Sequence, residues 1–188
     1  MNWFRTLAGS SRKLSPEPLR LPRGVRLVSE QDGEDGPELL RQRVRDSAPL
    51  LADVVLTTGY VVKPGKAGQY AAAIEANVHA DMLWRTVQQL TNALLPIVAA
   101  PIIGIKGELP AFGPYTHRER ALGVFEPFTE HLTHDGFLEW GIMCQYYGET
   151  EEVFVKSPKY LQIWTYDLRR ARKTLERLGV PEVPELKF

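Results

Sequence analysis

Along residues 137–147 apolar and polar side chains alternate with a period of two. Leu138, Trp140, Ile142, Cys144 and Tyr146 fall on one side; Glu139, Gly141, Met143, Gln145 and Tyr147 fall on the other. Backbone pleating turns successive side chains to opposite faces, so this run predicts a strand with one strongly apolar face. Gly148-Glu149-Thr150 reads as a turn. Residues 152–156, Glu-Val-Phe-Val-Lys, are β-branched and aromatic at their centre and read as a second strand. Ser157-Pro158 ends it, because proline lacks an amide donor and restricts the residue before it. Residues 160–165 make a third strand, and the short connections favour an antiparallel meander.

The period then changes. Leu168, Ala171, Leu175 and Leu178 recur at helical spacing and form one apolar stripe, suited to cover the apolar face of the meander. Gly179 stands where a left-handed C-cap belongs, with Pro181 just beyond.

Upstream, the order is a short strand over 24–29, an acidic turn-rich loop over 31–36, and a helix opening at Pro37 that Pro49 interrupts. Residues 54–62 read as a strand turned by Lys63-Pro64-Gly65-Lys66. Tyr70, Ile74 and Val78 share one helical face, and Leu83, Val87, Leu90 and Leu94 share another. At roughly 100° per residue the two faces lie about 180° apart. One straight helix would point its halves in opposite directions, so two helices are expected, with a break near residues 79–81 and Asp81 as the second N-cap. Residues 96–105 read as a buried strand and 107–115 as a loop. Thr116-His117-Arg118-Glu119 matches a capping box, and a further helical segment is expected over 127–134. The expected fold is α+β: an antiparallel sheet, made of the C-terminal three-strand meander plus one to three further strands, covered by helices in a single domain.

Composition narrows the function classes. A chain of 188 residues suits one domain, with residues 1–24 as a basic, loosely ordered arm and 25–188 as the α+β domain. The formal net charge is zero, so no whole-protein field favours nucleic acid or an acidic membrane. The longest apolar run, 93–105, is too short to span a bilayer and holds Pro96, Pro101 and Gly104. A single cysteine allows no internal disulfide, which suits a reducing, cytoplasmic setting.

The candidate chemistry is sparse. Gly59 and Gly65 stand too far apart for a phosphate-binding loop, and Ala67 occupies the hydroxyl position that loop needs. Glu130, His131 and His134 are the densest run of metal-ligand types, but they lie opposite the apolar side that Phe128 and Leu132 define. Surface residues are therefore expected there, with no metal and no cofactor. His117 lies in a first helical turn, and His79 at the expected helix break. Cys144, mid-strand on an apolar face, is a packing residue rather than a nucleophile. The basic run Arg169, Arg170, Arg172, Lys173 and Arg177 reads as the solvated side of an amphipathic helix.

The expected function is a soluble, non-catalytic protein-binding module, of the inhibitory or immunity type that neutralises a partner protein. Its partner surface is expected to hold Leu109, Phe112 and Tyr115 of the apolar loop, with Glu149, Glu151 and Glu152 of the following turn. The alternative is a small-molecule-binding or metal-dependent enzyme with a cleft near His79, His117 and Glu130/His131/His134.

Overall fold

The computed structural model describes residues 15–23, 38, 41–42 and 55–187. The elements in chain order are β1 (Gly59–Lys66), β2 (Tyr70–Asn77), α1 (Ala80–Leu94), β3 (Val98–Ile105), β4 (Ala111–Phe112), β5 (Thr116–His117) and α2 (Arg118–Gly123). A 3-10 turn (Glu126–Phe128) leads into α3 (Thr129–His134), β6 (Leu138–Tyr146), β7 (Glu149–Lys156), β8 (Tyr160–Thr165) and α4 (Leu168–Arg177). The strands form one antiparallel sheet in the order β1-β2-β8-β7-β6-β3-β4, with β5 also paired to β3. The expected α+β class holds. The eight strands exceed the expected number because β2 replaces a helix and two short strands follow β3.

The meander β6-β7-β8 is the centre of the sheet. Its registers run Ile142↔Val153 and Val153↔Ile163, so these three side chains line up across one face. With Trp140, Val155 and Leu161 they are fully buried. The described helices lie on this face: Leu83, Val87 and Leu90 of α1, Ala121 of α2, Leu132 of α3, and Ala171 and Leu175 of α4 complete the same core. Trp140 packs against Trp84 and Phe125 at ring separations of 5.4 Å. Its indole donates to the Leu132 carbonyl at 2.8 Å, which satisfies the one polar atom such burial would orphan. Each such side chain contributes about 1.5–3 kcal/mol through burial.

α4 ends as the sequence indicates. Val180 donates to the Leu175 carbonyl and Gly179 to the Glu176 carbonyl, and Gly179 has φ 80°. That paired geometry needs a left-handed residue, which glycine supplies without a Cβ clash.

Three expectations are corrected. Residues 70–78 are not a helix. Tyr70, Ile74 and Val78 are spaced by four, which satisfies a period of two as well, and Ala72 and Ala76 fill the intervening inward positions. The high helix propensity of the alanines yields to pairing with β1 on one side and β8 on the other. Lys63-Pro64-Gly65-Lys66 does not turn β1 but belongs to it, opposite β2. β1 stands at the end of the strand order, where a proline costs the ladder least. The capping box does not form: Thr116 and His117 pair with β3, and α2 starts without a side-chain cap.

The break near residues 79–81 is present, with His79 rather than Asp81 at the N-cap of α1. Phe128, expected to face inward, is 57% exposed, while Leu132 is buried. Glu38, Arg41 and Gln42 are helical. The expected strand over 24–29, the acidic loop, the break at Pro49 and the first fourteen residues of the basic arm lie outside the described residues. The part of the arm that is described docks on the domain. Leu19 and Thr58 exchange backbone hydrogen bonds with Leu56 and Glu17, and Pro22 is buried.

Candidate interaction surface

β7 enters and leaves through turns of opposite character. At its start, Tyr146 pairs with Glu149 across a loop of only two residues, Tyr147 and Gly148. Both have positive φ, 50° and 88°. Two left-handed residues make the hairpin turn whose twist matches its strands, and that turn favours asparagine or aspartate before the glycine. Tyrosine there forces a Cβ into the left-handed region at about 1 kcal/mol. Tyr147 is nevertheless 90% exposed, and among the described residues its one aromatic ring contact is Tyr146, edge-on at 4.3 Å.

The turn is tied on both sides by hydrogen bonds. Thr150 N–H donates to the Gln69 carbonyl at 2.6 Å, tying it to the β1–β2 turn. The register between β3 and β6 stops at Ala100↔Met143. Beyond it Gln145 N–H donates instead to the Tyr115 hydroxyl at 3.1 Å. Tyr115 thus stands in for the missing strand and brings its half-exposed ring beside the tyrosine turn.

The residues expected to meet a partner separate into three groups. Leu109 is 96% exposed, Phe112 62% and Tyr115 51%. They do not cluster, because the chain from Ala111 to His117 runs back along β3, Ile103↔Ala111 to Val98↔His117. Leu109 therefore stands near the start of β6, Phe112 midway opposite Ile102, and only Tyr115 reaches the tyrosine turn. Glu149 is exposed within that turn. Glu151 belongs to the fold: its carboxylate accepts from Tyr166 N–H at 2.8 Å and braces the passage from β8 to α4. Burial pushes its pKa up, against the pull of the Tyr166 bond. Glu152 is 8% exposed, on the opposite face of β7, between Met143 and Trp164. Desolvation raises its pKa to about 7, with Lys156 opposing. Glu152 is thus buried and Glu151 half-buried, whereas Glu149 is exposed. Tyr147 carries a further signal in the sequence, a Tyr-Gly pair where a tight hairpin prefers Asn-Gly.

Two histidines of the enzyme alternative have hydrogen-bond partners within the fold. His79 is buried and its Nδ1 accepts from Arg20 N–H at 3.0 Å; His134 Nδ1 accepts from Arg23 N–H at the same distance. Arg20 pairs with Asp81 at 3.1 Å and Arg23 with Glu130 at 2.5 Å. Two of the four histidines and the cluster's glutamate thus clamp residues 20–23. His117 is exposed at the start of α2, and His131 is exposed on α3. Among the described residues no three His, Cys, Asp or Glu side chains are grouped to hold a metal ion, and no helix is long and apolar enough to cross a membrane. Cys144 is buried, and desolvation with the nearby Glu151 raises its thiol pKa, which suppresses the thiolate a nucleophile needs.

Fold and surface together define an α+β protein with a tyrosine-bearing hairpin. Comparison of the chain with protein-family models, with curated proteins and with solved structures finds no match.

Proposed function

We propose that this chain is a non-catalytic protein-binding module that engages its partner through the β6–β7 turn, with Tyr115, Tyr146, Tyr147 and Glu149 as the contact residues. The observation that supports the reading is Tyr147: a large ring held in an unfavourable backbone region, on a turn anchored at both sides, and left 90% exposed. That exposure leaves most of the ring free of the fold's core. Tyrosine offers wide contact area with few torsions to freeze, and it is enriched where proteins meet. Backbone outliers of this kind concentrate at functional positions. Glu149 adds a negative charge that would speed encounter with a basic partner. An inhibitory role of the immunity type is the form of this reading that chain length and α+β class suit.

The test is capture from cells of the native source with the chain immobilised, beside a Tyr146→Ser/Tyr147→Asn variant. A partner retained by the natural chain and lost from a variant with unchanged melting temperature supports the reading. Equal retention by both chains contradicts it. A small-molecule screen supplies the opposing arm: a metabolite that raises the melting temperature by many degrees would favour the cleft alternative.

A further inference from the structure

α4 carries five cations and one acid between Leu168 and Arg177, in a chain whose net charge is zero. Two of the cations are paired within the fold. Arg170 bonds Asp167 at 3.4 Å and the Ala93 carbonyl at 2.9 Å; Arg172 meets Glu182 at 2.9 Å. The other three, Arg169, Lys173 and Arg177, stand at spacings of four along one side of the helix, exposed and without an acidic partner among the described residues. They span about 12 Å at 1.5 Å per residue.

Local physics opposes this arrangement. Like charges four apart on a helix repel one another. Arg169 also sits in the first turn, where the helix dipole disfavours a cation. The C-terminal position of Arg177 is favourable; that of Arg169 is not. Beside the row lie two open clefts. One, of about 410 Å³, is lined by Ala93, Asp167, Arg169, Lys173 and Arg177 among others. The second, of about 520 Å³, shares Arg169 and Lys173 and adds Leu168 and Glu176.

We infer that this row and its clefts are a docking site for an acidic peptide segment, separate from the tyrosine turn and independent of its role. Guanidinium groups match carboxylates in a two-pronged geometry, and acidic side chains on an extended or helical peptide recur at about 6–7 Å, the spacing of the cations here. A peptide fits better than a nucleic acid because the clefts are not uniformly positive. Asp167 and Glu176 line them, and a peptide can set amide donors against these carboxylates between its acidic side chains, where a phosphate backbone has no donor to offer.

The experiment is fluorescence anisotropy with a labelled peptide of alternating glutamate and glycine, at low and at physiological salt. Inorganic phosphate and single- and double-stranded oligonucleotides are run as competitors. The variants are Arg169→Gln/Lys173→Gln/Arg177→Gln and a control with Lys66→Gln/Lys106→Gln/Arg120→Gln, three exposed cations elsewhere. The expected result is saturable peptide binding that weakens at least about tenfold in the α4 variant, weakens with salt, and is unchanged in the control. The α4 variant should melt no lower than the natural chain, because it removes repulsion. Absence of saturable binding, equal loss in the control, or tighter binding of an oligonucleotide than of the peptide would each overturn the inference.

Discussion

Two non-glycine residues of the described chain have positive φ, and they sit at opposite ends of the same strand. Lys159, φ 101°, closes the turn after β7; Tyr147, φ 50°, closes the turn before it. Lys159 is 6% exposed. Its ammonium donates to the Leu138 carbonyl, its N–H bonds the Lys156 carbonyl, and Ser157 N–H bonds Glu139 at 3.0 Å. There the backbone strain is matched by contacts made nowhere else. Tyr147 also has a positive φ, but its ring is 90% exposed and packs on another exposed ring, Tyr146. A positive φ thus has buried contacts beside it at one end of β7 and an exposed ring at the other, and the exposed end is where a partner is expected.

The largest expected effect lies between the two turns. Glu152 binds its proton more tightly in the folded chain, with a pKa of about 7 against an ordinary 4.5. The folded state therefore holds more protons than the unfolded state across that interval, and stability falls as pH rises from 4.5 to 7. The fall is at most about 3 kcal/mol. Glu152→Gln should flatten this slope in chemical denaturation series; an equally steep slope in the variant would show that another group carries it. This would make Glu152 a second cost on β7 that its neighbours do not offset.

The next effect tests the compensated turn. Lys159→Ala removes the buried stem and orphans the Leu138 carbonyl, so a loss of about 2 kcal/mol is expected. Burial also lowers the Lys159 pKa to about 8, with Asp135 and Glu139 opposing. The unfolded state then holds more protons than the folded one above pH 8, and stability rises with pH from 8 towards 10.5. The difference between natural chain and variant, followed by denaturation at pH 7, 9 and 10.5, should move in that direction. A variant as stable as the natural chain would remove the contrast between the turns.

Much of the framework was legible because several signals coincide. In the meander, alternation, turn residues and the β-branched strand agree, and α4 with its Gly179 cap is fixed by stripe and glycine together. Residues 70–78 misled because spacings of four cannot separate a period of 3.6 from a period of two, and alanine favours the helix that pairing overrides. The capping box misled because Thr116 and His117 are claimed by β3, a partner far enough along the chain to leave no local trace. The site was legible only in part. Aromatic and apolar residue types marked the loop over 107–115, but whether they meet the Glu149 turn depends on the antiparallel return along β3. Glu151 and Glu152 looked like turn charges until pairing placed them inside the sheet.

The smallest expected change in stability carries the central claim. Tyr147→Asn supplies the residue that the two-residue turn prefers, so the melting temperature should hold or rise, by up to about 1 kcal/mol of added stability. The decisive measurement pairs that melt with quantitative capture from native-source cells, natural chain against variant. The account expects a melt at least as high and a partner signal reduced about tenfold or more, since an exposed ring at the centre of a contact is worth on the order of 2 kcal/mol. A variant that melts several degrees lower would show that Tyr147 serves the fold, and a variant that keeps its partner would show that the ring serves no contact; either result contradicts the account.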